Sequence, residues 1–337
     1  MIAKNAPDKS SDSAAAWMPA FLANAVIWGS SFIFIKVAVG RLHPTWVASI
    51  RLIIGALTLL TVLAIIKERL PRDRRLWGHM LLPGVLGSAI PFALFAYGEE
   101  RISSIAAGIW NATTGLWVLP FAVLVFKTER FRMRAAIGLT LGFAGVLIVL
   151  GFWNTEGSGL VGQLMCGAAA LCYGIVIPYI KRFVTGSFAV SGVALATLQA
   201  TVAAVASTIA ALVLSGPPPA PSTWGWGVIG SMVALGAFGS GIAFALNMRV
   251  ITVAGASTAA FVTYLMPLVA VALGIIVLGE SLTWNQPIGA AIVLLGVAVA
   301  QGVLARMRKP KPLPSNEAAA AELGPADRPA PAGVTRA

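Results

Sequence analysis

Along the chain, apolar residues come in long unbroken runs separated by short charged breaks, not in the alternation that marks half-buried strands. The runs cover 17–39, 45–66, 76–97, 102–126, 135–152, 160–180, 188–214, 224–248, 254–278 and 284–304. At about 1.5 Å of rise per residue, each is long enough, or nearly so, to cross roughly 30 Å of hydrocarbon as a helix. Continuous runs favour helices over a barrel, because within lipid every backbone N–H and C=O must find its partner inside the structure. The pattern predicts an all-α integral membrane protein with ten transmembrane helices.

The pattern is also duplicated. Laying 102–151 over 253–302 without a gap pairs Val118 with Val269, Glu129 with Glu280, Gly138 with Gly289, Gly145 with Gly296 and Gly151 with Gly302. Further upstream the offset shrinks, and Leu86-Gly87 and Phe95 match Leu235-Gly236 and Phe244, while Gly29 and Lys36 match Gly174 and Lys181. A repeat on this scale dictates architecture before any single residue is interpreted. It divides the chain into a polar segment 1–16, a first five-helix copy 17–152, an external linker 153–159, a second copy 160–304 and a tail 305–337. Five spans is an odd number, so the second copy enters the membrane from the opposite side. The expected frame is two inverted repeats around a central cavity, as in many secondary transporters.

Composition and charge sharpen this picture. With 58% hydrophobic residues, 11% charged and a mean hydropathy of +0.86, the chain is too apolar for one soluble core. A net charge of +12 would suggest nucleic acid in a soluble protein. Here the basic residues fill the breaks between runs, where they orient a membrane protein, so no nucleic-acid partner is expected beside the bilayer and a small-molecule substrate. With a cytoplasmic N-terminus, twenty basic residues face inward, in clusters at 67–75, 127–134 and 306–311 among others, and only Arg41 and Arg101 face outward. Both termini are therefore expected on the cytoplasmic side, and the membrane is expected to be a plasma (bacterial inner) membrane. The first run lacks the short core and small-residue cleavage site of a signal peptide and is expected to remain as a span. The tail, basic and then rich in Ala, Pro and Glu, is expected to be disordered, with 306–311 against anionic headgroups.

Polar residues inside the runs are the candidate chemistry. Asn24 and Trp28 lie one helical turn apart and Asn111 and Thr114 three residues apart, so each pair shares a face that lipid would penalise. With Trp110, Asn247, Tyr264 and Tyr173, the last standing where Trp28 stands in the first copy, they either line a substrate cavity or hydrogen-bond helix to helix. Arg51 lies about 10 Å along its helix from the external end and has no acidic partner within any span. It either grips a substrate carboxylate with its planar fork or braces backbone carbonyls. Pro91, Pro178 and Pro267 fall inside spans as hinges or as static kinks. Glu129 and Glu280 precede helix starts, where a carboxylate favours the positive end of the dipole, and Thr283 and Gln286 have capping-box spacing. Gly138, Gly142, Gly145, Gly289 and Gly296 offer surfaces for close helix approach.

These residues resemble the EamA-type ten-helix transporters of the drug/metabolite transporter superfamily. The resemblance covers roughly 17–304. It is carried by Trp28-Gly29-Ser30-Ser31-Phe32, Arg51, Asn111-Ala112-Thr113-Thr114 and the junction Gly279-Glu280-Ser281-Leu282-Thr283 with its twin at Glu129. The fourth span departs from the family pattern: Gly115-Leu116 stand where a proline usually follows the threonine pair, Pro120 comes later, and the second copy keeps Pro267. The resemblance implies a secondary transporter, commonly an exporter of amino acids, other metabolites or toxic compounds.

Absences bound the remaining classes. Cys166 and Cys172, six apart on different helix faces, give no metal spacing, and no nucleotide-binding loop is present, so neither a metal, another cofactor nor ATP-driven pumping is expected. His43 and His79 lie at span boundaries, leaving no general base beside Ser30, Ser31 or Ser240 for an intramembrane enzyme. A lipid scramblase or channel gains nothing from a duplicated frame. Because Glu99 and Glu100 map to a span end and no acid lies mid-span, facilitated diffusion or exchange is expected, with proton-coupled efflux as the alternative.

Overall fold

The computed structural model describes residues 12–150, 159–185, 187–254 and 262–301; the expected linker, the tail and most of the N-terminal segment lie outside them. The described residues form helices α1 (Asp12–Val39), α2 (Pro44–Ile65), α3 (Arg74–Glu99), α4 (Ser104–Val125), α5 (Met133–Leu150), α6 (Gly159–Phe183), α7 (Gly192–Ser215), α8 (226–254), α9 (Val262–Leu278) and α10 (Asn285–Gln301). No strand occurs among the described residues. Seven of them, α1 to α4 and α6 to α8, are long and apolar enough to cross a membrane; in α5, α9 and α10 the apolar stretch is shorter, at Met133–Val149, Leu265–Leu278 and Asn285–Val299.

Local sequence sets the ends. Pro44 opens α2, where its missing N–H costs nothing. The Asp73, Ser103 and Ser191 side chains accept hydrogen bonds from Arg75, Ala106 and Ala194 N–H groups at 2.8, 3.1 and 3.1 Å, capping α3, α4 and α7. The expected half of a capping box is present at α10, where the Thr283 N–H donates to Gln286 Oε1 at 3.3 Å.

Three helices are irregular inside. A widened π turn spans Val85–Ala89 in α3, and a longer one spans Ala234–Ile242 in α8. They fall on the duplicated Leu86-Gly87 and Leu235-Gly236. In α4 the rod breaks at Thr113, whose hydroxyl donates to the Trp110 carbonyl at 2.7 Å, resumes over Thr114–Pro120 and ends in a π turn at Phe121–Val125. Of the three prolines read as hinges or static kinks, Pro91 lies one residue beyond the π turn of α3, whereas α6 and α9 run through Pro178 and Pro267 as helix.

Packing joins the two copies throughout. Helix α1 lies against α8 and α9, as α6 lies against α3 and α4; α2 contacts α8 as α7 contacts α3; and α2 with α7, α4 with α9 and α5 with α10 pair directly. Exchanging each helix for the one five places along leaves this set unchanged. The duplicated glycines make the approaches possible: a Cβ on Gly29 would lie 2.6 Å from that of Val269, and one on Gly174 would lie 2.4 Å from that of Trp117. The glycines of α5 and α10 face one another as expected, with a Cβ on Gly296 only 2.5 Å from the Gly142 nitrogen and 2.6 Å from the Gly138 oxygen.

Contacts between chain breaks sort them into two ends. At one, Thr45 meets Ser215 at 2.8 Å, Asn285 Nδ2 donates to the Ile148 and Val149 carbonyls at 3.1 and 3.2 Å, and Glu280 reaches Ser104. At the other, Glu129 meets Lys181 at 3.1 Å and His79 Nδ1 meets the Tyr179 hydroxyl at 2.9 Å. We refer to these as the Ser215 end and the Lys181 end.

Candidate functional site

Asn24, Trp28, Phe32 and Lys36 recur every four residues along α1 and so form one stripe. The π turn of α8 brings Gly239 and Ser240 to this stripe and to α2. There the Trp28 Nε1–H donates to the Gly239 carbonyl at 3.0 Å, and the Arg51 Nε–H donates to Ser240 Oγ at 3.0 Å. A carbonyl oxygen has two lone pairs, so that of Gly239 can accept an indole N–H from another helix. The Arg51 guanidinium carbon also sits 3.9 Å from the centroid of the Phe92 ring on α3, so its charge is met by a hydroxyl and an aromatic face. Nearer the Lys181 end, Asn24 Nδ2 donates to Asn247 Oδ1 at 3.3 Å, and toward the Ser215 end the Trp110 Nε1–H of α4 donates to Gln163 Oε1 of α6 at 3.2 Å. Each of these four hydrogen bonds joins the first copy to the second.

Several polar groups in this region remain without partners among the described residues. Asn24 Oδ1, Thr114 Oγ1 and Trp117 Nε1 are buried and unpaired. Asn111, itself buried, precedes Thr114 and Trp117 at three-residue spacing, so one face of α4 carries all three across the break at Thr113. Tyr173 stacks on Phe95 with ring centroids 6.3 Å apart. The Tyr264 side chain lies outside the described residues. Hollows of about 490 and 590 Å³ lie on α5 around Thr140 and beside the α2–α3 break around Arg69, away from these residues.

Two acids depart from their expected settings. Glu280 does not serve the start of α10; its carboxylate crosses to the other copy and seats on the start of α4. Oε1 accepts from the Ser104 N–H at 2.9 Å, while Oε2 accepts from Ser104 Oγ at 2.9 Å and from the Ile105 N–H at 3.1 Å. Glu99 does end its span, yet its side chain is fully enclosed and neither carboxyl oxygen has a partner among the described residues. Position along the axis is thus a poor guide to exposure here. The neighbouring Lys36 ammonium donates to the backbone carbonyls of Glu99 and Ile102 and forms no ion pair with the Glu99 carboxylate. The ion pairs among the described residues are Glu100–Arg101 and Glu129–Lys181, so Arg51 has none, as expected.

A family model for EamA-like transporters matches the chain twice, over residues 15–151 and 160–301. The chain belongs to the EamA-like transporter family. Among its relatives, the uncharacterized transporter YoaV of Bacillus subtilis is 23% identical over 274 residues, covering 81% of this chain and 92% of YoaV. The uncharacterized inner membrane transporter YedA of Escherichia coli is 27% identical over 284 residues, covering 83% of this chain and 89% of YedA. A solved crystal structure shares the fold with a TM-score of 0.60 at 20% identity, over 88% of this chain and 99% of its own. This EamA-like chain is accordingly a multi-pass membrane transporter.

The duplication within the family domain exposes a counterpart to Arg51. In the second copy Gln199 of α7 donates from Nε2 to Ser88 Oγ at 3.0 Å, inside the π turn of α3, just as Arg51 of α2 reaches Ser240 inside the π turn of α8. The two sites share a design and differ in charge. Sequence reasoning singled out Arg51 by its charge, named Ser240 only as a serine without a general base, and passed over Ser88 and Gln199, whose types are unremarked in membrane helices. The duplicated Leu-Gly was the available signal.

Proposed function

We propose that this EamA-like chain is a secondary transporter that carries a small organic solute, such as an amino acid or a related metabolite, by alternating access between inverted five-helix repeats at 17–152 and 160–304. Export or exchange across a bacterial inner membrane, with both termini cytoplasmic, accords with the concentration of basic residues at the Lys181 end. The observation that carries the reading is that the hydrogen bonds made by Asn24, Trp28, Arg51 and Trp110 among the described residues each link one copy to the other. A solute entering between the copies would replace these links, and the unpaired groups of Asn24, Thr114 and Trp117 offer it further donors and acceptors. Arg51 is the group for a carboxylate, since opening the contact with Ser240 frees its fork. The set of helix pairings, unchanged by exchange of the copies, supports two forms of similar free energy.

Glu99 favours a second reading, proton-linked transport. A carboxyl group enclosed without a partner is expensive to keep charged, and a transporter can use such a group to carry a proton. Proteoliposomes loaded with purified protein and offered a panel of labelled amino acids and small drugs test both. Exchange predicts that preloaded unlabelled solute accelerates entry of label and that a pH gradient drives no accumulation. Proton linkage predicts accumulation that a protonophore abolishes and that Glu99→Gln lacks. Failure of every compound in the panel to enter faster than into empty liposomes would count against solute transport of this class.

A further inference from the structure

The two ends of the bundle hold the same duplicated residues in different arrangements. At the Ser215 end, Glu280 has entered the start of α4, with three hydrogen bonds of 2.9, 2.9 and 3.1 Å to Ser104 and Ile105. Lys36 lies beside it on the same stretch of backbone and donates to the Ile102 carbonyl at 2.8 Å. At the Lys181 end, Glu129, the twin of Glu280, is half exposed and pairs with Lys181, the twin of Lys36, at 3.1 Å; the first turn of α9, where its corresponding seat would fall, lies outside the described residues. Both contacts cross between copies, since Glu280 of the second reaches α4 of the first and Glu129 of the first reaches α6 of the second. The duplicated acid–lysine set is therefore bonded differently at the two ends among the described residues: acid on lysine at the Lys181 end, and acid on a helix start with the lysine on backbone carbonyls at the Ser215 end.

We infer that Glu280 is a gating residue whose seat on α4 holds the Ser215 end closed, and that opening of this end moves the carboxylate off the helix and onto Lys36. The inference rests on the alternating-access reading above. The seat satisfies N–H groups that a helix start leaves orphaned and places negative charge at the positive end of the dipole. Withdrawal sacrifices those bonds but regains an ion pair, so the two states stay close in free energy, as a switch requires. The contact also has leverage, because α4 carries Trp110, Asn111 and Thr114. Releasing its first turn frees the helix that bears one wall of the cross-copy cluster.

The test uses two cysteine reporters in a background with Cys166 and Cys172 replaced by alanine. Ala106→Cys lies buried in the first turn of α4, and Val184→Cys lies buried at the Lys181 end. Both are labelled with a maleimide in purified detergent-solubilised protein, where the reagent reaches either end. Glu280→Gln, which keeps the shape and loses the charge, should raise labelling at 106 about tenfold without raising it at 184. Ser104→Ala, which removes one of the three bonds, should raise it less, and should add little when combined with Glu280→Gln because both break one contact. Glu129→Gln should leave labelling at 106 unraised. Unchanged labelling at 106 in Glu280→Gln, or an equal rise at both reporters, would overturn the gate and identify Glu280 as a plain helix cap. If Glu280→Gln fails to fold, Ser104→Ala carries the same test with the same two refuting outcomes. These results are separate from the transport assay: inert liposomes would sink the transporter reading, while flat labelling in an active protein would sink only the gate.

Discussion

Replacing Gly296 with alanine places one methyl group where helix α10 touches the backbone of α5. The new Cβ would lie 2.5 Å from the Gly142 nitrogen, 2.6 Å from the Gly138 oxygen and 2.7 Å from the Gly142 Cα. Non-bonded carbon contacts are comfortable at about 3.5–4.0 Å, so the helices must separate by about 1 Å, and backbone atoms cannot swing aside as a side chain can. A gap of that size forfeits roughly a quarter to a half of the attraction at each neighbouring contact, and overpacking of this kind costs about 1–3 kcal/mol. Helix propensity returns at most about 1 kcal/mol. The control is Gly78→Ala on the exposed face of α3, where a Cβ meets nothing within 4 Å and only the propensity gain applies. Gly296→Ala should therefore unfold at a lower temperature than the parent protein, and Gly78→Ala at the same or a higher one. Thermal unfolding in detergent, followed by size-exclusion chromatography of heated aliquots, reads the difference. If Gly296→Ala proves as heat-resistant as Gly78→Ala, the close α5–α10 approach is not a feature of the folded protein.

Single cysteines at Ser215 and at Arg72, in a cysteine-free background, should label from outside the cell and only after permeabilisation, respectively; the reverse pattern would invert the proposed orientation. Arg51→Lys keeps the charge but cannot form the planar fork, so it should impair solute transport while leaving expression near normal. Normal transport by Arg51→Lys, together with failure of Arg51→Ala to accumulate, would make Arg51 a brace for Ser240 and not a substrate group. Glu99→Gln should remove any dependence of transport on an imposed pH gradient, measured by uptake with and without a protonophore.

The bilayer made much of the fold legible in the sequence. Lipid penalises every exposed polar backbone group, so helical runs are long, apolar and sharply bounded, and duplicated residues such as Gly29 with Gly174 could be matched before either was placed. The partners of the site were not legible. Arg51 and Ser240 are 189 residues apart, and Glu280 and Ser104 are 176 apart. The expectation that Glu280 serves a helix start was right in its physics and named the wrong helix, because attraction to a dipole fixes the kind of partner and leaves the choice among helices to packing. Pro178 and Pro267 drew attention as hinges, while the widened turn of α8 contains no proline and rests on Gly236, Gly239 and Gly241. Enclosure of Glu99 depends on its lateral neighbours, which residue order along one helix does not encode.

The widened turn of α8 also sets the angular phase of the helix beyond it. Each residue added to an α-helix turns the remaining segment by about 100°, so a surplus residue absorbed within Ala234–Ile242 determines which side of Ala243–Ala254 faces α1. In the present phase Phe244 meets the Trp28 ring edge-on at 5.8 Å and Asn247 meets Asn24. Were the turn to tighten to α geometry, both would rotate away together with no change in amino-acid identity, and other side chains of the same segment would face Trp28. The recognition surface opposite α1 is thus specified by winding as well as by sequence, and a one-residue deletion between 234 and 242 would rewrite it more thoroughly than any single substitution on it.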